Sequence, residues 1–466
     1  MPPVSRTASL PADASAAFST EHLEADLRTQ AVRGGAVTIA GQACKLVIAT
    51  ASTMILCRCL APGDFGLIAM VVAVTGFVSL FKDMGLSIAT MQRPEINQGQ
   101  VSTLFWINVA LGVLTAAIAG ALAPIISGFY GEPRLTGITL ALSSAFVLGG
   151  LAVQHQGLLR RQMKFTTLAI IDAASLFVGA AVAIAAALSG AGYWALVFSY
   201  PTTALVYTVG VWATCQWRPG WPVRRSGVRS MLSFGGHLTG FSLINYLIRH
   251  LDNVLIGWYW GSELLGYYSK AYALLLLPMN QINAPVTYVA IAGLSRLQND
   301  PQRFRNYYLK PLALVTFVTF PLVTLLFFMP REVILLFLGP QWGESVPILR
   351  YLAVVALAHA VCNTTGWFLI GAGKPDRMVK WALFVLPLTT AAFAIGLRGG
   401  PTTVALCYSI VSVLLVAPCI FYVTRGVPIT PKDIVGAVWQ QLCAALLSGT
   451  AGFAIVQLGF RSLPDW

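Results

Sequence analysis

Lys45, Asp172, Arg249, Asp252, Lys270 and Arg350 each lie in a stretch of about 20 residues that is otherwise apolar enough to cross a hydrocarbon core. An ionised side chain is costly at that depth. It is expected to face a protein interior or a wet cavity, where it binds ions, protons or polar ligands. The cations of this set outnumber the carboxylates, which favours an anionic ligand. Bond-making chemistry has less material. The longest loop on the side away from the N-terminus, near 330–345, carries Arg331, Glu332 and Glu344 but no nucleophile–base arrangement. No catalytic residue is assigned. No metal site is assigned either: Cys57 and Cys59 are too isolated for one, and the cysteines read as small apolar fillers.

The spacing of the polar residues supports a cavity wall. In the first apolar run, Thr38, Gln42, Lys45 and Ser52 are separated by four, three and seven residues. In the seventh run, Ser242, Asn245, Arg249 and Asp252 are separated by three, four and three. Such steps keep each set on one helix face. Lys45 lies about 16 Å along the helix from Gly34 at 1.5 Å per residue, near the midplane, where its stem does not easily reach either interface. Arg249 and Asp252, three apart, either pair with each other or form a cationic wall with an ion or proton site at Asp252. Pro278 and Pro285 bracket Asn280, Gln281 and Asn283, which predicts a kinked or broken helix with freed backbone groups. Lys270 precedes this segment. His359 and Asn363 share a face and are further candidates for the cavity or for ion coupling. Asp172 is shallow and able to pair with a cation, and Arg350 reads as an interfacial anchor.

The elements that must carry these residues are all helices. The 466 residues are 57% hydrophobic and only 10% charged, against roughly 25% charged in soluble domains. Apolar runs predict helices at 34–59, 65–87, 101–126, 135–157, 166–188 and 192–214. A second set follows at 233–258, 263–295, 308–329, 346–371, 378–397 and 402–423, with a thirteenth at 435–459 and no fourteenth. Lys and Arg concentrate in alternate loops, as in Arg160-Arg161 with Lys164 and in Arg224-Arg225 with Arg229, while the other loops hold little beyond Arg58, Arg134, Arg331 and Arg398. This places the N-terminus in the cytoplasm of a multi-pass inner-membrane protein. The net charge of +13 is spread over these loops rather than gathered in one patch, which argues against nucleic acid. Residues 1–33 read as a disordered cytoplasmic segment without a cleavable signal. The remainder divides into an N-lobe (34–214), a basic cytoplasmic linker (215–232), a C-lobe (233–424) and an additional C-terminal helix (425–466).

The lobes look related. An offset of 200 places Gly35 on Gly235, Ile55-Leu56 on Leu255-Ile256 and Gly66 on Gly266, and it aligns Pro62 to Gly66 with Ser262 to Gly266. Both lobes would start on the same side, giving a parallel repeat related by an axis along the membrane normal, with the site at the repeat interface.

The segment from Ile55 through Cys57-Arg58-Cys59 and Pro62-Gly63-Asp64-Phe65-Gly66 resembles the helix 1–2 signature of polysaccharide flippases. So do Phe81-Lys82-Asp83-Met84-Gly85, Leu104-Phe105-Trp106-Ile107-Asn108, Asn245-Tyr246, Leu251-Asp252-Asn253 and Leu265-Gly266-Tyr267-Tyr268-Ser269-Lys270-Ala271-Tyr272. The set is similar to the Wzx-type, colanic-acid-exporter-like branch of the MOP (MATE-related) exporter superfamily, over about residues 34–424. Gly293, just before Leu294, departs from the proline common in relatives, and a local change of helix end is expected there.

The resemblance implies an all-α fold of two six-helix lobes and alternating access. It implies a substrate, an undecaprenyl-pyrophosphate-linked oligosaccharide, in pathways for exopolysaccharide, capsule or O-antigen. Transport in some relatives is coupled to protons or sodium. A polysaccharide polymerase and export machinery are candidate partners beside the lipid bilayer. On this reading Lys45 and Arg249 attract the pyrophosphate, and Gln42, Asn245, Asn280 and Asn283 meet sugar hydroxyls with Lys270 beside them. Asp252, His359 and Asn363 are the candidates for coupling. The alternatives are a multidrug exporter of the same superfamily, for which hydrophobic cations would favour an acidic lumen, and a membrane polymerase or ligase.

Overall fold

The computed structural model describes residues 27–80, 96–223 and 229–460. The motif at Phe81–Gly85 lies outside them. Among the described residues, thirteen α-helices run in chain order: α1 (Leu27–Cys59), α2 (Pro62–Ser79), α3 (Gln98–Tyr130), α4 (Arg134–Arg161), α5 (Phe165–Leu188), α6 (Trp194–Thr214), α7 (Arg229–Arg296), α8 (Pro301–Phe328), α9 (Pro330–Phe337), α10 (Ser345–Gly371), α11 (Pro375–Gly396), α12 (Pro401–Thr424) and α13 (Pro431–Phe460). Eleven spans among the described residues are long and apolar enough to cross a membrane. The chain is a multi-pass membrane protein.

Local chemistry sets the ends. Proline opens α8, α9, α11, α12 and α13, where its missing N–H costs nothing and its fixed φ suits the helix. Asn97 caps α3 in a reciprocal box with Gln100, and Asp300 caps α8 by accepting from the Arg303 N–H. The two helices expected at 233–258 and 263–295 form one element, α7, interrupted at Gly261 (φ 82°, ψ −173°). Only a residue without Cβ adopts that conformation easily. The proline-bracketed segment does not break the chain: the helix continues through residues 278–285. The helix also continues past Gly293 to Arg296, and Gly293 leaves room for the Tyr307 ring, whose Cζ would lie 2.2 Å from a Cβ there.

The chain divides into two compact units, Met1–Leu60 with Val71–Leu247, and Ala61–Met70 with Ile248–Trp466. In the first, α3 packs on α4, α5 on α6, and α1 on α5. Its core gathers Val101, Phe105, Leu158, Leu168, Val211 and Trp217. The opening of the expected linker is folded against this core. Trp217 donates to the Gln98 side chain, Trp106 donates to the Gly220 carbonyl, and the Gly220 and Val223 amides donate to the Ser102 and Thr103 hydroxyls.

In the second unit α10 packs on α12 and α8, α11 on α12, and α13 on α8, around Phe304, Tyr308, Phe320, Phe368 and Ile420. The loop expected near 330–345 is folded into α9 and a 3-10 turn, Pro340–Trp342, and Trp342 is buried against Phe65 and Tyr267. Here the offset of 200 has a physical counterpart. A Cβ on Gly66 would lie 1.6 Å from the Ser262 carbonyl oxygen, and one on Gly266 would lie 2.0 Å from that of Pro62. The contact is reciprocal between residues 62 and 66 and their equivalents 262 and 266, as a local two-fold relation requires.

Candidate functional site

Two clusters of charged and polar side chains are built at membrane depth, one in each unit. In the first, Lys45 of α1 donates to Asp172 of α5 at 3.0 Å. The helices meet closely one turn away, where a Cβ on Gly41 would lie 2.9 Å from the Ala169 Cβ. That crossing fixes the backbones on which the pair stands. Counted from Cys59, Lys45 lies about 21 Å along α1, and counted from Phe165, Asp172 lies about 10 Å along α5. In a core about 30 Å thick both counts agree on a depth of about 10 Å, at the end where Arg160, Arg161 and Lys164 lie. Lys45 is thus shallower than the midplane position expected from Gly34, because the apolar span of α1 begins at Ala40 rather than Gly34. Asp172 neutralises Lys45, which leaves Arg249, Lys270 and Arg350 against Asp252 and so does not change the cationic surplus. The pair is not sealed: its side chains are 26% and 37% exposed. Gln42, one turn before Lys45, is exposed.

The second cluster surrounds Asp252 of α7, which is 3% exposed. One carboxylate oxygen accepts from the Tyr268 hydroxyl at 2.9 Å and the other from the Asn253 backbone N–H at 2.7 Å. The expected alternative of an Arg249–Asp252 pair is not formed. Among the described residues Asp252 has no ion-pair partner, and the Arg249 side chain is exposed. Tyr272 lies beside Tyr268, with ring centroids 6.2 Å apart, and its hydroxyl interacts with that of Tyr408 on α12. His359 of α10 stands edge-on to Tyr408 at 6.0 Å. Arg249 acts electrostatically on Tyr272, Tyr408 and His359. None of these phenols is among the site residues expected from the sequence, although Tyr268 and Tyr272 fall in the segment that carries the family resemblance. Tyr268 follows Asp252 by 16 residues across the Gly261 break, a separation that points to no contact in advance.

The remaining candidates are dispersed. The Lys270 ammonium lies 4.1 Å from the centre of the Phe65 ring, a cation–π contact. Asn363 is exposed on α10, one turn after His359, and Arg350 is exposed near the start of that helix. The helix carrying Asn245, Asn280 and Asn283 is described, but their side chains lie outside the described residues, as do those of Thr38 and Ser242. Among the described residues no group of His, Cys, Asp and Glu is arranged to hold a metal ion.

This all-helical architecture is similar in fold to solved transporter structures of the MOP superfamily. The solved lipid II flippase MurJ in its inward closed conformation superimposes with a TM-score of 0.71 at 13% identity, covering 93% of this chain and 94% of that one. An inward-facing MATE multidrug resistance transporter gives 0.64 at 13% identity, covering 82% and 95%. Residues 55–347 match the model of the family described as polysaccharide biosynthesis protein, and the chain belongs to that family. Its relatives include the teichuronic acid biosynthesis protein TuaB of Bacillus subtilis, 29% identical over 73% of this chain and 71% of that protein. They also include the lipopolysaccharide biosynthesis protein WzxC of Escherichia coli, 26% identical over 73% and 70%.

Proposed function

We propose that this protein is a flippase that carries an undecaprenyl-diphosphate-linked oligosaccharide across the bacterial inner membrane by alternating access, with its N-terminus in the cytoplasm. A sugar repeat cannot cross unaided, because each hydroxyl stripped of water without a partner costs roughly 2–7 kcal/mol. A wet chamber removes that cost while the lipid tail stays in the bilayer. The observation that carries the reading is the Lys45–Asp172 pair. Two charges about 10 Å inside the hydrocarbon, with side chains 26% and 37% exposed, are tolerable against water and very costly against acyl chains. The polysaccharide family membership and the flippase-like fold support the same reading.

Asp252 supplies the coupling site on this proposal. A buried carboxylate that accepts from two donors and has no ion-pair partner among the described residues either holds a proton or recruits a small cation, and each choice alters the local charge. Complementation of a strain lacking its own polysaccharide flippase tests the function. The wild-type chain restores surface polymer, and Lys45→Ala reaches the membrane at normal amounts but does not. Failure of the wild type to restore polymer, with a gain of resistance to cationic drugs instead, would select the multidrug reading.

A further inference from the structure

The Lys45–Asp172 pair is poorly explained as a structural device. It is a single contact, 3.0 Å between Nζ and one carboxylate oxygen, and no other hydrogen bond of either side-chain head is present among the described residues. Two of the three ammonium hydrogens and the second carboxylate oxygen therefore remain open to water or ligand. The α1–α5 crossing is already held by close packing at Gly41 and Ala169. A lone, half-exposed pair contributes little to such a crossing. What it does is keep a cation neutral while leaving it reachable.

We infer that Asp172 is an internal competitor for the diphosphate of the substrate. It holds Lys45 when the carrier is empty and is displaced when a diphosphate arrives. The inference rests on the flippase reading and adds a residue to it: Asp172 positions Lys45 and sets how tightly the anion is held, without touching the reacting centre of any chemistry. A diphosphate carries more charge and more acceptor oxygens than a carboxylate, so it can win the ammonium. The displaced Asp172 then repels it, which prevents over-tight binding and allows release. Around Asp172 the other ionisable and polar neighbours are Tyr207 of α6, which feels the carboxylate, and Arg160 and Gln156 of α4, which act on Tyr207. None of them forms an ion pair with Asp172 among the described residues.

The experiment measures binding of a fluorescent polyprenyl diphosphate to the full-length protein in nanodiscs, with phosphatidylglycerol and inorganic diphosphate as competitors. Asp172→Asn should bind the polyprenyl diphosphate about tenfold more tightly, the scale set by removing one like charge a few ångströms away. Asp172→Glu should remain within about threefold of wild type, and Lys45→Ala with Asp172→Asn should show no tightening. Inorganic diphosphate should displace the probe, showing that the headgroup is what is read, and phosphatidylglycerol should not. Unchanged or weaker binding by Asp172→Asn, in a variant that elutes as one species, overturns the competitor role while wild-type binding stands. Tightening that persists without Lys45 overturns it as well. Absence of binding by the wild type overturns both this inference and the flippase reading.

Discussion

The two units each place one carboxylate at membrane depth and treat it in opposite ways. Asp172 is paired with a lysine and is 37% exposed; Asp252 has no ion-pair partner among the described residues, is 3% exposed and is held by a phenol and a backbone amide. Exposure and partner go together for a physical reason. A charge pair open to water can exchange its partner for a ligand at small cost, because solvent replaces what is lost. A sealed carboxylate cannot, since stripping its donors leaves a bare charge. The first arrangement suits handling of a large polar substrate and the second suits a single proton or small cation.

The contrast between the carboxylates breaks most readily at Asp252. Asp252→Asn keeps the shape and removes the charge, so polymer export is expected to fall by more than about tenfold, a loss of roughly 1.4 kcal/mol or more, while the protein stays folded. Export that survives, measured as surface polymer per amount of membrane protein, would remove Asp252 from the coupling role. Tyr268→Phe is the milder form. It deletes one donor to a buried carboxylate, and thermal unfolding in detergent should show a loss of about 1–3 kcal/mol, with export reduced but present. Lys45→Ala sharpens the contrast from the other side. Its stability cost should stay near about 1 kcal/mol, because the pair is half-exposed, and Asp172→Asn in the same chain should recover part of it. A cost as large as that of Tyr268→Phe would mean that the pair is sealed after all.

The smallest effect is expected at a surface control. Arg134 bonds Glu132 through both carboxylate oxygens and holds its carboxyl below the ordinary value of 4.5. A depressed carboxylate stabilises the fold above that value and loses the contribution as pH falls through the lowered one. Glu132→Gln should therefore cost less than about 0.5 kcal/mol at neutral pH, with the difference from wild type vanishing at acid pH in unfolding scans.

Much of the architecture was legible because membrane helices announce themselves. Long apolar runs mark the elements, and the offset of 200 between Gly66 and Gly266 becomes a real close approach. The short helix α9 was not legible: its eight residues follow α8 after Met329 alone, and the stretch reads as a loop. Lys45, Asp172 and Asp252 stood out because charge is rare in such segments. Their pairings did not. Lys45 and Asp172 are 127 positions apart, and nothing local links them. Tyr268, Tyr272 and Tyr408 read equally well as interfacial anchors, since a tyrosine in an apolar helix shows nothing of what its hydroxyl meets.

Transport by this route requires water to reach the Lys45 face of α1, and accessibility of Gln42 measures that most directly. In a chain whose eight cysteines are replaced, Gln42→Cys is exposed to a charged, membrane-impermeant thiol reagent in sealed vesicles of each orientation. A wet face predicts rapid labelling that a polyprenyl diphosphate slows. A cysteine that reacts only with a lipid-soluble reagent, and is indifferent to the diphosphate lipid, would place that face against acyl chains and contradict the mechanism.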